Sequence, residues 1–181
     1  IRAKFHQPIK NVQHDIIITP KMSFGTGHHA TTYMMIEQMH KINFVEKTVF
    51  DFGTGTGVLA ILAEKLGAAS VTAIDNDEWS TTNAQENIHE NDCRKIKIEL
   101  SSHIPSDQTF DVILANINKN VIVQHFTRLT KALNPTRHLL VSGLLAADER
   151  SLLMIAESHR LIVKTKAFKD DWLCILFVNR S

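Results

Sequence analysis

The run "VFDFGTGTGVLAI", Val49 to Ile61, restricts the possible folds more than any other stretch of the chain. A short apolar strand leads in and Gly53, Gly55 and Gly57 turn the backbone. Val58, Leu59, Ile61, Leu62 and Leu66 lead out with helical spacing that stops at Gly67. A strand that turns through glycines straight into a helix is the first half of a βαβ unit, and the following residues supply the rest. "SVTAIDND" reads as a strand ending in acids, "WSTTNAQENIHEN" as a helix with a polar face, and "KIKIEL" as an alternating strand.

The alternation continues to the C-terminus. "FDVILANI" is a buried strand, Val121 to Leu133 a helix stopped before Pro135, "HLLVSGLL" a strand, and about Ala147 to Glu157 a helix. The last two strand-like runs, "RLIVKTKAF" and "WLCILFV", are separated only by "KDD", which is too short for a helical crossover and fits a hairpin. Upstream of the glycine run, Ile16 to Thr19 reads as a strand ended by Pro20, and His29 to His40 as a helix with an apolar stripe of Met34, Met35 and Met39. The expected fold class is α/β: a mostly parallel, doubly wound sheet with an antiparallel C-terminal strand.

A chain of 181 residues suits one domain, and 20 basic against 19 acidic residues leave a net charge of +1. That balance gives no whole-surface attraction for nucleic acid or anionic lipid, so direct nucleic-acid binding is not expected. Cys93 and Cys174 lie far apart and outside any CxxC spacing, so neither a zinc site nor a disulfide framework is expected, and a reducing cytoplasm is the simplest location. His28 and His29 lack a carboxylate or cysteine at ligand spacing, and no metal is expected. No apolar run is long enough to cross a membrane. Because the chain starts at Ile1 rather than Met, it reads as a piece of a longer protein.

The glycines lie at the carboxyl edge of the sheet, where folds of this type bind ligands. Bare backbone there permits close ligand approach. Asp51 precedes the glycines, and Asp75 ends the next strand, where a carboxylate accepts hydrogen bonds from ribose hydroxyls. A structural turn alone would need neither acid, so a nucleoside-containing ligand is expected. A dinucleotide fingerprint would want glycine where Val58 stands, and Asp51 would face an anionic pyrophosphate. S-adenosylmethionine carries a sulfonium and an ammonium and no phosphate, which suits a carboxylate beside the loop. "DFGTGTG" with "AIDND" is similar to the cofactor site of Rossmann-like methyltransferases.

A second "FGTG", Phe24 to Gly27, precedes the first helix. At that helix N-terminus Thr31 and Thr32 either help to hold a carboxylate such as the methionine tail or belong to an ordinary cap. Asn116 ends "DVILAN" at the same carboxyl edge, where its amide can donate and accept, although Asn is also common as a strand-end cap. Trp79 and Trp172 pack on the nucleoside or in the core, and the sequence does not distinguish these.

"ITPKMSFGTGHHATT", together with "DFGTGTGVLAI", "KLGA", "IDND", "ANI", "VSGLL" and the late Trp172, resembles the bacterial methyltransferases that modify large-subunit ribosomal protein L-eleven. The likeness covers nearly the whole chain. In that family the FGTGxHxTT segment closes over the cofactor, so the two FGTG copies would be different devices around one ligand. The resemblance implies S-adenosylmethionine as cofactor, with Thr32, Gly53, Asp75 and Asn116 at cofactor-binding positions and Gly55, Gly57 and Asp51 beside them. Phe24 and Asn116 would lie against the reacting groups. It further implies N-methylation of lysine and N-terminal amines of ribosomal protein L-eleven, by a catalytic domain spanning 1–181 whose first 20 residues lead in from an N-terminal recognition domain. This chain departs from the pattern with Ala30 in place of a proline, with "NPTRH" in place of a longer glycine-containing turn, and with "NKN" after "ANI", which bears on the acceptor site. Other readings of the same residues are an N-methyltransferase acting on another protein or a small molecule, an NAD-dependent oxidoreductase, and a nucleoside-binding module without catalysis.

Overall fold

In the computed structural model, which describes residues 1–8, 10–19 and 29–180, seven strands form one sheet in the order β3-β2-β1-β4-β5-β7-β6. The strands are β1 Thr48–Phe52, β2 Ser70–Asp75, β3 Ile96–Leu100, β4 Phe110–Asn116, β5 Leu133–Leu145, β6 Leu161–Lys169 and β7 Trp172–Asn179. β1 to β5 pair in parallel, and β7 inserts antiparallel between β5 and β6. The α/β class and the antiparallel C-terminal strand are therefore as expected. The strand order reverses between β1 and β4, which opens a crevice at their carboxyl ends.

Residues of even and odd number along the central strands feed different layers, because side chains alternate across a pleated sheet. Val49, Val112 and Leu114 join a core with Met34, Met35, Met39, Leu59 and Ile61, beneath helices α1 Ala30–Met39, α2 Val58–Lys65 and α3 Glu78–Glu90. Phe50, Phe52, Ile113 and Ala115 join an opposite core with Phe126 and Leu152, beneath α4 Lys119–Lys131 and α5 Glu149–Ser158. A sheet covered on both faces explains why β1 and β4 are apolar almost throughout. Among the described residues no helix is long and apolar enough to cross a membrane.

Some boundaries differ from those read in the sequence. Ile16 to Thr19 forms no strand; Ile17 makes a single parallel bridge to Arg2. The backbone of this segment is held instead by side chains at the end of α3: Asn91, its C-cap, accepts from the Ile17 amide and Asn87 from the Thr19 amide. The expected helix Val121 to Leu133 begins at Lys119 and ends at Lys131, because Asn118 caps it by accepting from the Val121 amide at 3.2 Å. β5 starts before Pro135 and not after it. Its pairing with β4 jumps from Phe110↔Leu133 to Val112↔His138, so Asn134 to Arg137 bulge out of the ladder and the proline displaces no pairing. A short 3-10 turn, Ala146–Asp148, precedes α5.

Candidate functional site

A cavity of about 640 Å³ opens over the carboxyl ends of β1, β2 and β4, within the size range of small-molecule sites. Its walls are the glycine turn after β1, the end of β2, the start of α1, and the segment joining β4 to α4.

The β2 wall is acidic. Asp75 Oδ2 accepts from the Gly55 amide at 2.9 Å and Oδ1 from the Asp77 amide at 3.1 Å, so both oxygens are fixed by backbone while keeping lone pairs for a ligand. Asp77 caps α3 through the Ser80 amide at 2.9 Å, and its hydrogen bonds to Ser80 hold its carboxyl below the ordinary range.

The opposite wall joins residues distant in sequence. Asn116 Nδ2 donates to Thr32 Oγ1 at 3.3 Å, while Asn116 Oδ1 is buried without a partner among the described residues. Thr32 is fully buried at the first turn of α1. His29 is the N-cap of that helix: its Nδ1 accepts from the Thr31 amide. The His29 ring lies edge-on to Trp172, 5.0 Å between centroids. Trp172 lines the cavity, whereas Trp79 stands largely in solvent.

Of the residues singled out in the sequence, Thr32, Gly53, Gly55, Asp75 and Asn116 line this one cavity. Asp51 and Gly57 stand behind its wall. Asp51 is 1% exposed, and its Oδ2 accepts from the Thr54 hydroxyl at 2.7 Å while Oδ1 lacks a partner of good geometry among the described residues. Burial, reinforced by the nearby charge of Asp75 and only partly offset by Thr54 and the Ala60 amide, raises its pKa to about 7. The carboxylate pictured beside the ligand is thus a buried group beneath the loop, one residue removed from the cavity through Thr54. Gly57 is the N-cap of α2 and packs against Ala84 of α3. Phe24 and the first FGTG lie outside the described residues.

The "NKN" departure has structural work: Asn118 caps α4, and Lys119 pairs with Asp148 at 2.8 Å. Sequence reasoning passed over Ser101, Ser102 and His125, which line the far end of the cavity. The ring of His125 lies edge-on to Phe52, its Nδ1 is buried without a partner among the described residues, and burial together with Arg128 and His103 lowers its pKa. Only its place on the cavity side of α4 marks it, and one histidine in a helix gives no local signal.

The profile of the family described as Ribosomal protein L11 methyltransferase (PrmA) matches residues 1–180. A Ribosomal protein L11 methyltransferase of Bacteroides fragilis is 36% identical over 98% of this chain and 64% of its own length. One from Chlorobaculum tepidum is 40% identical over 93% of this chain and 60% of its own length. The chain thus spans somewhat under two thirds of these relatives. The crystal structure of a ribosomal protein L11 methylase from Lactobacillus delbrueckii subsp. bulgaricus superposes with a TM-score of 0.90 at 28% identity, covering 98% of this chain and 92% of that one. A methyltransferase from Pyrococcus furiosus, 22% identical with a TM-score of 0.71, shares the fold.

Proposed function

Because the chain belongs to the ribosomal protein L11 methyltransferase family, we propose that it N-methylates lysine and N-terminal amines of that ribosomal protein, using S-adenosylmethionine held in the 640 Å³ cavity. The observation that carries this reading is the convergence of Asp75, Thr32 and Asn116 on one space, with Asn116 Oδ1 buried and unmatched among the described residues. A buried acceptor without a donor costs on the order of 1–3 kcal/mol, and an N–H group of a ligand or substrate amine relieves it.

The residues fit the cofactor. Asp75 would accept from both ribose hydroxyls, the backbone of Gly53 and Gly55 would lie along the ligand, and the start of α1 at Thr31 and Thr32 would hold its carboxylate. Asp51, once ionised, would place negative charge near the ligand's two cationic centres. When bound, S-adenosylmethionine supplies an electrophilic methyl group on sulfur.

Positioning is what the chain's own residues contribute. A lysine or N-terminal amine is protonated near neutral pH and must shed a proton before it attacks. Asn116 Oδ1 accepts from the neutral amine and orients its lone pair, with Thr32 holding the other end of the carboxamide.

The test has two parts. Calorimetry should show binding of S-adenosylmethionine and none of NAD; the reverse would favour an oxidoreductase. Labelled-methyl incorporation should then appear in purified ribosomal protein L11 and fall by roughly tenfold to a hundredfold in Asn116→Ala, the loss expected when a reacting group is misoriented. Cofactor binding without incorporation into L11 would point to another acceptor or to a module without catalysis.

A further inference from the structure

Two glycines on different strands are open for the same neighbour. Gly53, at the end of β1, has φ +76°, and a Cβ there would overlap Cγ2 of Ile117. Gly143, within β5, has φ +84°, and a Cβ there would overlap the Ile117 carbonyl oxygen, with the carbonyl carbon at 2.6 Å and the amide nitrogen at 3.0 Å. Ile117 follows Asn116 directly, where β4 leaves the sheet, and its side chain packs partly buried on the α4 core. The space at Gly53, which the glycine pattern alone assigns to a ligand, is filled by a side chain of the protein.

We propose that Ile117, seated between Gly53 and Gly143, is a positioning residue for the transfer reaction: it locks the backbone after β4 so that Asn116 keeps Nδ2 on Thr32 and leaves Oδ1 free to accept. The role rests on the function proposed for Asn116. Gly143 holds the backbone of Ile117 from the β5 side, while Gly53 admits its side chain from the β1 side. One residue thereby ties the cofactor turn to the strand end that faces the amine. The partner of Asn116 in β5 is Ser142, whose hydroxyl donates to the Leu173 carbonyl at 2.9 Å, so the β5 side of the seat is itself anchored to β7.

The two contacts differ in kind, and that makes the idea testable. Gly53 meets the Ile117 side chain, which mutation can remove; Gly143 meets its backbone, which mutation cannot. Ile117→Ala should lower kcat for methylation of ribosomal protein L11 by about tenfold with unchanged affinity for S-adenosylmethionine, the loss expected of a misplaced reacting group. Ile117→Val, which keeps both Cβ and Cγ2, should behave as the parent. In nitrogen-correlated NMR spectra without ligand, the Asn116 side-chain amide should move toward a rotationally averaged position in Ile117→Ala and stay in place in Ile117→Val. Gly53→Ala should weaken cofactor binding, and adding Ile117→Ala should recover about tenfold of that loss, whereas the defect of Gly143→Ala should persist in both backgrounds. An Asn116 signal that does not respond to Ile117→Ala, or a Gly53→Ala defect of equal size with and without Ile117, would overturn the assignment. A parent protein that binds S-adenosylmethionine but methylates nothing, with the NMR and coupling results as expected, would instead count against the proposed reaction and leave the Ile117 seat standing.

Discussion

The turn after β1 and the turn after β4 stand side by side at the crevice, since Phe52 and Ala115 are register partners, yet they build their walls by different means. The β1 turn is backbone and glycine, with one carboxylate buried beneath it and another, Asp75, beside it. The β4 turn is neutral: two carboxamides, Asn116 and Asn118, on either side of Ile117. The difference divides the crevice into a charged half and a neutral half; under the proposed function the first would suit a cation-bearing ligand and the second an amine that must lose its proton. A carboxylate in the second half would favour the protonated amine and slow its attack.

The largest effect expected from erasing this contrast is at Asp75. Asp75→Ala would delete the two charge-assisted hydrogen bonds proposed to the ribose, worth roughly 1.5–3 kcal/mol each, so affinity for S-adenosylmethionine should fall by about a hundredfold or more. Calorimetry measures the loss and circular dichroism checks that the variant is folded; unchanged affinity would end the idea of a charged half.

Next comes the buried carboxyl. Because the folded-state pKa of Asp51 is raised from the ordinary 3.8 to about 7, the folded chain keeps a proton that the unfolded chain has already lost between those values. Stability contributed by this group is therefore greatest near pH 4 and declines as pH rises toward 7, then levels off. Asp51→Asn should match the parent near pH 4 and exceed it at pH 8 by a few kcal/mol in denaturant melts. Saturating S-adenosylmethionine should flatten the parent's slope, because a nearby cation lowers a carboxyl pKa. Parallel profiles for parent and variant would show that Asp51 is ionised throughout.

The smallest effect should be at Thr32. Thr32→Val keeps the shape but deletes the acceptor for Asn116 Nδ2, a neutral hydrogen bond at 3.3 Å worth about 0.5–1.5 kcal/mol. Turnover should drop several-fold while cofactor affinity changes less, because Val keeps the backbone amide at the start of α1 that would meet the ligand's carboxylate. An effect as large as that of Asp75→Ala would place Thr32 in the charged half instead.

Much of the fold was legible because its signals are local. Glycines between an apolar strand and a helical stripe, acids at the end of the next strand, and a three-residue gap before the last strand all act within one or two turns of chain. That reach sufficed for the order of elements, the parallel sheet and the antiparallel β7. It failed where side chains from elsewhere decide the conformation: Ile17 and Thr19 look like a strand but are held by Asn87 of α3 and by its C-cap Asn91, and Pro135 looks like a stop but sits in a bulge of β5.

For the candidate site the division is sharper. The amino-acid sequence by itself determined that a glycine turn, a strand-end carboxylate and a strand-end carboxamide would meet at one sheet edge, since strand ends in a parallel α/β sheet have no other place to go. Only the tertiary structure decided what each of them faces there. Asn116 meets Thr32 from 84 residues away, Asp51 lies under Thr54 rather than in the cavity, and the space at Gly53 belongs to Ile117. The physical reason is that propensity and periodicity are properties of neighbours in the chain. Burial, an unpaired acceptor or a missing Cβ is a property of neighbours in space, and those are set by the register of strands and the seating of helices across the whole sheet.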